Sequence, residues 1–472
     1  MTFQASPSGD AAIATARFGL GARPGELAIA GARPRDWLKA QIAAAGADQP
    51  TGSLPSGRDG VAAYLAFRAE ARMLRQRASR QQGLESDTAA AQLEAGRREA
   101  REPLRQALLA DILARARLAA ATPAPFRERW TLFWSNHFTV STAKPQTATL
   151  AGPFEREAIR PRVFGRFEDL LVASSTHPGM LVYLDQARST GPNSVAGRRR
   201  DAGLNENLAR EIMELHTVGP DAGYTQADVT EFARGLTGYS IGAERDGPDR
   251  AGAFLFRLNL HEPGPRTVMG RRYPQAGPAQ ARAILADLAA DPHTADHLAR
   301  KIATHFVADA PPPRLVADLR GAFLRSRGDL AVVAAALIDS PEAWTPAPGK
   351  FKRPYEFLIS SYRAVGAVPA DAGSELIEPL TQLGERPFAA PQPNGWPERI
   401  GDWAAPDAIV KRMDWASRFA AVHAPAGATP TALADSALGA RLAPATRLAI
   451  ARAETRPEAL TLLLMSPEFL YR

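Results

Sequence analysis

The fifteen residues NENLAREIMELHTVG, Asn205 to Gly219, constrain the chain more than any other stretch. Leu204, Leu208, Ile212 and Leu215 recur at a spacing near 3.6, which winds them onto one stripe of an α-helix and requires a core for that stripe to face. Asn207, Arg210, Glu211 and Glu214 gather on another face. Gly219 supplies a left-handed stop just beyond the last turn. A helix that buries one side and crowds acid, amide and guanidinium onto another is the natural seat of a reaction centre.

The frame around it is helical. Ala, Leu and Arg dominate and β-branched runs are few. The expectation is a mainly α protein, one large multi-helix domain with one small β-hairpin. Three stretches, 1–124, 125–290 and 291–472, are expected to pack together. The chain has no cysteine, which excludes disulfides, thiolate metal sites and cysteine nucleophiles. A net charge of +7 over 472 residues comes from arginines spread through helical segments, read as solvated faces, so no nucleic acid is expected. No apolar run is long enough to span a bilayer. The start, MTFQASPSGDAAIATARFGLG, lacks a cationic, apolar and cleavable export signal. The expected location is cytoplasmic, or periplasmic if the chain leaves as cargo on another protein's signal.

Several elements can be placed in order. Val61 to Gln82 and Thr88 to Ala120 read as two long helices, with a break expected at Pro103. Arg68, Arg72, Arg75, Arg97, Arg98 and Arg101 mark them as an exposed hairpin. Phe126 to Phe138 reads as a helix with Phe126, Trp130, Phe133, Trp134 and His137 on one face. His177-Pro178 starts another, proline sitting where a missing N–H costs nothing. Gly191 to Gly203 is a loop carrying Arg198, Arg199 and Arg200. Thr225 to Asp228 is a capping box for a helix that stops at Gly238. The alternation of FLFRLNL, the turn HEPGP and the return RTVMG predict the hairpin.

Glu211 and Glu214 lie one turn apart, so both carboxylates can meet one metal ion or one proton. The same spacing also gives ordinary ion pairs, because Arg210 is four residues from both Glu206 and Glu214. His216 falls far from those glutamates on the helical wheel, so a metal shared by all three needs the helix to distort. His137, among aromatic residues, is either a satisfied core histidine or a neutral imidazole fit for base or ligand work. His177 is a capping residue or a ligand. His293 and His297 have chelating spacing beside Asp296, but they open a polar first turn. Asp221 to Asp228 resembles half a calcium loop, yet Thr217 and Gly219 stand where carboxylates are needed.

With these residues in view, the chain resembles the bacterial domain-of-unknown-function 1800 family. WTLFWSNHFTVS, HPGMLVYLD, the stretch from Asn205 to Tyr239, HEPGPRTVMG, HTADHLARKIATHFV, KRPYEF and NGWPE carry the resemblance, from about Thr15 to the C-terminus. One departure is Glu262, where relatives usually have Asp. The resemblance implies no established activity. It does imply a neighbour, since members are often encoded beside an exported protein similar to alkaline-phosphatase-like hydrolases.

Two functions are therefore expected. The first is an enzyme, hydrolase or oxidoreductase, in which His137, His177, Glu206, Arg210, Glu211, Glu214 and His216 line one polar pocket. In it Glu211, Glu214 and His137 would hold a divalent metal. The second is a non-catalytic partner of the exported hydrolase-like neighbour, docking through the arginine-rich helices.

Overall fold

A computed structural model describes residues 9–80, 86–199, 203–346 and 349–472. The first eight residues, part of the export reading, and Arg200 of the arginine loop lie outside the described residues. The chain is mainly α: 63% helical, with 4% strand in two antiparallel two-stranded sheets. Among the described residues no helix is long and apolar enough to cross a membrane.

The single hairpin expected from FLFRLNL and RTVMG does not form. Phe254–Phe256 (β2) pairs backward with Tyr239–Ile241 (β1), and Arg266–Val268 (β3) pairs forward with Arg271–Tyr273 (β4). The physical reason is local. Leu258–Leu260 curls into a 3₁₀ turn that ends β2, and Met269 and Gly270 both adopt positive φ. Two left-handed residues make a tight hairpin turn whose twist matches its strands, so β3 closes on the residues just after it.

Pro103 does not break its helix. Ser86–Ala121 runs through it. The proline is exposed, so water can solvate the carbonyl that loses its partner. Gly57–Arg80 packs alongside as the expected hairpin, and Arg68, Arg72, Arg75, Arg98 and Arg101 are exposed.

Two apolar clusters form the interior. One gathers Phe18, Trp130, Trp134, Phe167, Leu208, Ile212 and Phe306 with much of the first 344 residues. The other gathers Ile112, Leu132, Phe357, Trp415 and Leu463 around the C-terminal helices. The aromatic helix, Pro125–His137, contributes to both, and its polar residues lie at the seam.

That seam is held by buried charge. Glu356 accepts from Arg129 at 2.9 Å and from Arg472 at 3.0 and 3.1 Å. Arg160, fully buried, bridges Glu128 and Glu155. Arg363 spends its donors on Glu26 and on the carbonyls of Gly21, Ala119, Ala120 and Thr122. Burying an ion is costly unless it is fully paired, and removing one partner of such a set strands the rest. Glu356→Gln is therefore expected to destabilise the fold by about 3–5 kcal/mol in urea denaturation. Glu102→Gln, at an exposed pair on the hairpin, should leave the midpoint where it is.

Candidate functional site

Of the stripe read from the sequence of the central helix, Leu208 and Ile212 are fully enclosed, Leu215 is half-buried and Leu204 precedes the helix, which starts at Asn207. It is not regular. Asn207–Glu211 is α-helical, and Ile212–His216 widens into a π turn. Thr217 Oγ1 bonds the Ile212 carbonyl at 2.6 Å, and the Gly219 N–H reaches the Met213 carbonyl at 3.0 Å. Gly219 is required twice over. Its φ is +84°, and a Cβ there would meet His297 Nδ1 at 2.8 Å.

The helix ends at His216, which leaves the Leu215 and His216 carbonyls without helical partners, and two imidazoles supply them. His297 Nε2 lies 3.2 Å from the Leu215 oxygen, and His137 Nε2 lies 3.1 Å from the His216 oxygen. A carbonyl only accepts, so each Nε2 carries the proton and each neutral ring keeps a lone pair on Nδ1. Burial pulls His216 down to about 3 and His297 to about 4, and lowers His137 as well, with Lys301 adding to each. All three are neutral at pH 7. The His137 and His216 rings stand 5.9 Å apart, and the Nδ1 of each is buried without a partner.

The other residues expected in one pocket lie in separate places. Glu206 and Arg210 pair at 3.2 Å on the surface, tied also to Gln226 and Thr230. Glu211 and Glu214 face outward toward Tyr183 and Tyr224. Burial and Glu214 raise the Glu211 carboxyl, while burial and Glu211 push Tyr183 up to about 12. His177 caps its own helix: Nδ1 accepts the Gly179 N–H at 3.0 Å, leaving Nε2–H for Glu157 at 3.0 Å. The expected metal set of Glu211, Glu214 and His137 does not assemble. His137 turns into the aromatic core and caps a carbonyl, whereas the glutamates occupy the opposite face. Among the described residues no three His, Asp or Glu side chains form a set able to hold a metal ion. His293 bonds the Asp291 carboxylate, as a first-turn residue should.

What the structure assembles instead lies one residue back from His137. Asn136 clamps the loop PQPNGWPE by pairing both ways with the Trp396 backbone, at 2.8 and 3.0 Å. Gly395 lets it approach, since a Cβ there would meet the Asn136 oxygen at 2.4 Å. The clamp closes one wall of a recess of about 60 Å³, whose lining includes Arg115, Ser135, Glu155, Arg353, Tyr355, Glu385 and Trp396. Such a volume holds several waters. Tyr355 Oη and Arg353 Nε and Nη1 are buried there without a hydrogen-bond partner. Arg353 is flanked by Glu398, Glu385 and Glu356 at 3.6, 3.7 and 4.0 Å, each too long for a hydrogen bond. Burial raises the Glu385 carboxyl despite Arg353. In Glu155 burial acts the same way, but Arg115 and Arg160 outweigh it and hold the group ionised.

Glu398 joins the recess to the imidazoles. It meets His305 Nδ1 at 2.9 Å. Burial lowers His305 to about 4, and Glu398, against its own burial, is held ionised by His305 and Arg353. Sequence reasoning missed His305, Lys301, Arg353, Tyr355, Glu385 and Glu398. One signal was available: His297, Lys301 and His305 recur every four residues and therefore share a face of Pro292–Phe306.

The model of one family, described as a protein of unknown function (DUF1800), matches residues 13–471. The chain belongs to that family. No curated protein and no solved structure matches it. In this DUF1800 protein the segments WSN, KRPYEF and NGWPE, far apart in sequence, meet at the recess.

A pH dependence follows. His137, His216 and His305 have folded pKa values below the unfolded value near 6.5, so below pH 6.5 the unfolded chain binds more protons than the folded one. Their contribution is fully present above pH 6.5 and lost as pH falls toward 4. Denaturation midpoints should drop across that window, with a slope approaching about 1.4 kcal/mol per pH unit for each histidine. His216→Gln should flatten it.

Proposed function

We propose that this DUF1800 protein is an acid–base enzyme, hydrolytic in type, that takes a small carboxylate- or carbonyl-bearing group into the recess beside Asn136. One observation carries the reading: a preformed recess lined by three unpartnered, buried polar atoms of Tyr355 and Arg353. Native proteins seldom leave such atoms unsatisfied, so a ligand or water completes them. Of the two reaction classes, hydrolysis has requirements that these side chains meet. Tyr355, whose pKa burial raises, stays a hydroxyl donor aimed at a developing oxyanion. Glu385, with its raised carboxyl, serves as general acid or base. Arg353 and Arg115 anchor the anionic end of the substrate, and Trp396 walls it off. His137 and His216 support the site as neutral groups that hold the central helix against the aromatic helix.

A second reading keeps the exposed arginines of the long hairpin as a docking face for the hydrolase-like neighbour. Co-purification with that neighbour, abolished by Arg68→Glu with Arg72→Glu, would favour it.

The recess is tested by thermal unfolding of the full chain against a panel of small carboxylic acids, their amides and their esters. At least one member should raise Tm, and Tyr355→Phe and Glu385→Gln should each reduce that rise. A panel without effect, or a rise that both variants retain, overturns the reading.

A further inference from the structure

Lysine is scarce here: six of the 57 cationic residues, the rest being arginine. Five of the six are committed. Lys39 pairs with Asp339 at 2.6 Å, Lys144 with Asp185 at 2.7 Å and Lys411 with Asp407 at 3.1 Å. Lys350 meets Asp309, and Lys352 donates to Ser360 at 3.0 Å while lying over the Phe469 ring. Lys301 makes no hydrogen bond and no ion pair among the described residues. It is half-buried, at the middle of the row His297, Lys301, His305. Its charge is felt by His137 of the aromatic helix, His216 of the central helix and His297 of its own helix, and Glu398 of the Trp396 loop acts on it.

A half-buried amine with no hydrogen-bond or ion-pair partner, one turn from His297 on one side and from His305 on the other, is a specific chemical arrangement. We propose that Lys301 is a carbonyl-reactive amine, a site at which a small aldehyde or ketone is held as an imine. The free amine attacks the carbonyl carbon and a C–N bond forms. The amine gives up a proton, and the carbonyl oxygen becomes a hydroxyl. That hydroxyl leaves as water on receiving the amine's second proton, relayed through an imidazole Nδ1, and the C=N bond forms. Water reverses each step, so no oxidant or reductant enters. The unpartnered Nδ1 atoms of His137 and His216 are the available proton acceptors. Burial supports the chemistry by pulling Lys301 down to about 8, against Glu398. At pH 7.5 about a quarter of such an amine is uncharged, against about one part in a thousand for an ordinary lysine. This inference does not rest on the recess beside Asn136.

The full chain is treated with propanal and sodium cyanoborohydride at pH 7.5, and N-propyl groups are read peptide by peptide by mass spectrometry. Lys301 should be modified on the order of tenfold or more faster than the ion-paired Lys39 and Lys411, following its larger free-amine fraction. Its rate should level off above about pH 8.5 while theirs still climbs. Lys301→Arg should remove its signal alone. The comparison is internal to the wild-type chain, so it holds even where that variant does not fold. Labelling of Lys301 no faster than Lys39 and Lys411, or a rate rising through pH 10 as theirs does, overturns the proposal.

Discussion

The architecture depends on buried guanidinium groups paired with carboxylates and carbonyls. Arg129, Arg160, Arg363 and Arg472 are each 2% exposed or less. They lie where the two apolar clusters meet, and a charge there is tolerable only when carboxylates and carbonyls occupy its donors. Arginine suits the task because its planar fork binds two oxygens at once and its weak hydration lowers the cost of entering the interior. Arg363 illustrates it: one side chain ties the Pro354–Val365 helix to Glu26 and to the end of the long Ser86–Ala121 helix. The same pairing rule brings out the exceptions. Arg353 has three glutamates near it and hydrogen-bonds none through Nε or Nη1, because a recess opens at that point.

The imidazoles serve a different need. A helix that ends inside the molecule leaves its last carbonyls unengaged, and in a dry interior these must find donors. His137 and His297 provide them, which fixes their tautomers and keeps them uncharged. The bulge, the two histidines and the glycine that admits His297 form one device. It draws the His137 and His216 rings together and leaves the Nδ1 of each buried without a partner.

Much of the fold was legible. The periods of 3.6 at Leu208 and Ile212, the aromatic face from Phe126 to His137 and the Thr225–Asp228 capping box all stand where the residues placed them. These are local patterns whose physics closes within a few turns. The departures involved information from outside the window. Nothing in FLFRLNL announces that its partner is Tyr239–Ile241 rather than RTVMG. Reading arginines as solvated faces held for Arg68 and Arg72 and failed for Arg129, Arg160 and Arg363, because solvation is decided by which helices meet. Glu262 is a smaller case: its longer side chain accepts from both the N–H and the amide of Asn193, at 2.8 and 2.6 Å, a contact invisible in HEPGP.

By itself the sequence determined the helical class, the acid-rich central helix with one buried stripe, and the family. These follow from composition, spacing and local motifs, all carried by neighbouring residues. Only the tertiary structure decided which polar groups share a space. It dispersed the glutamates and His177, drew His137 and His216 together behind a bulge, and assembled a recess from residues as distant as Ser135, Tyr355 and Trp396. The reason is that a side chain's charge, tautomer and freedom to react are set by what surrounds it, and those surroundings arrive from the far ends of the chain.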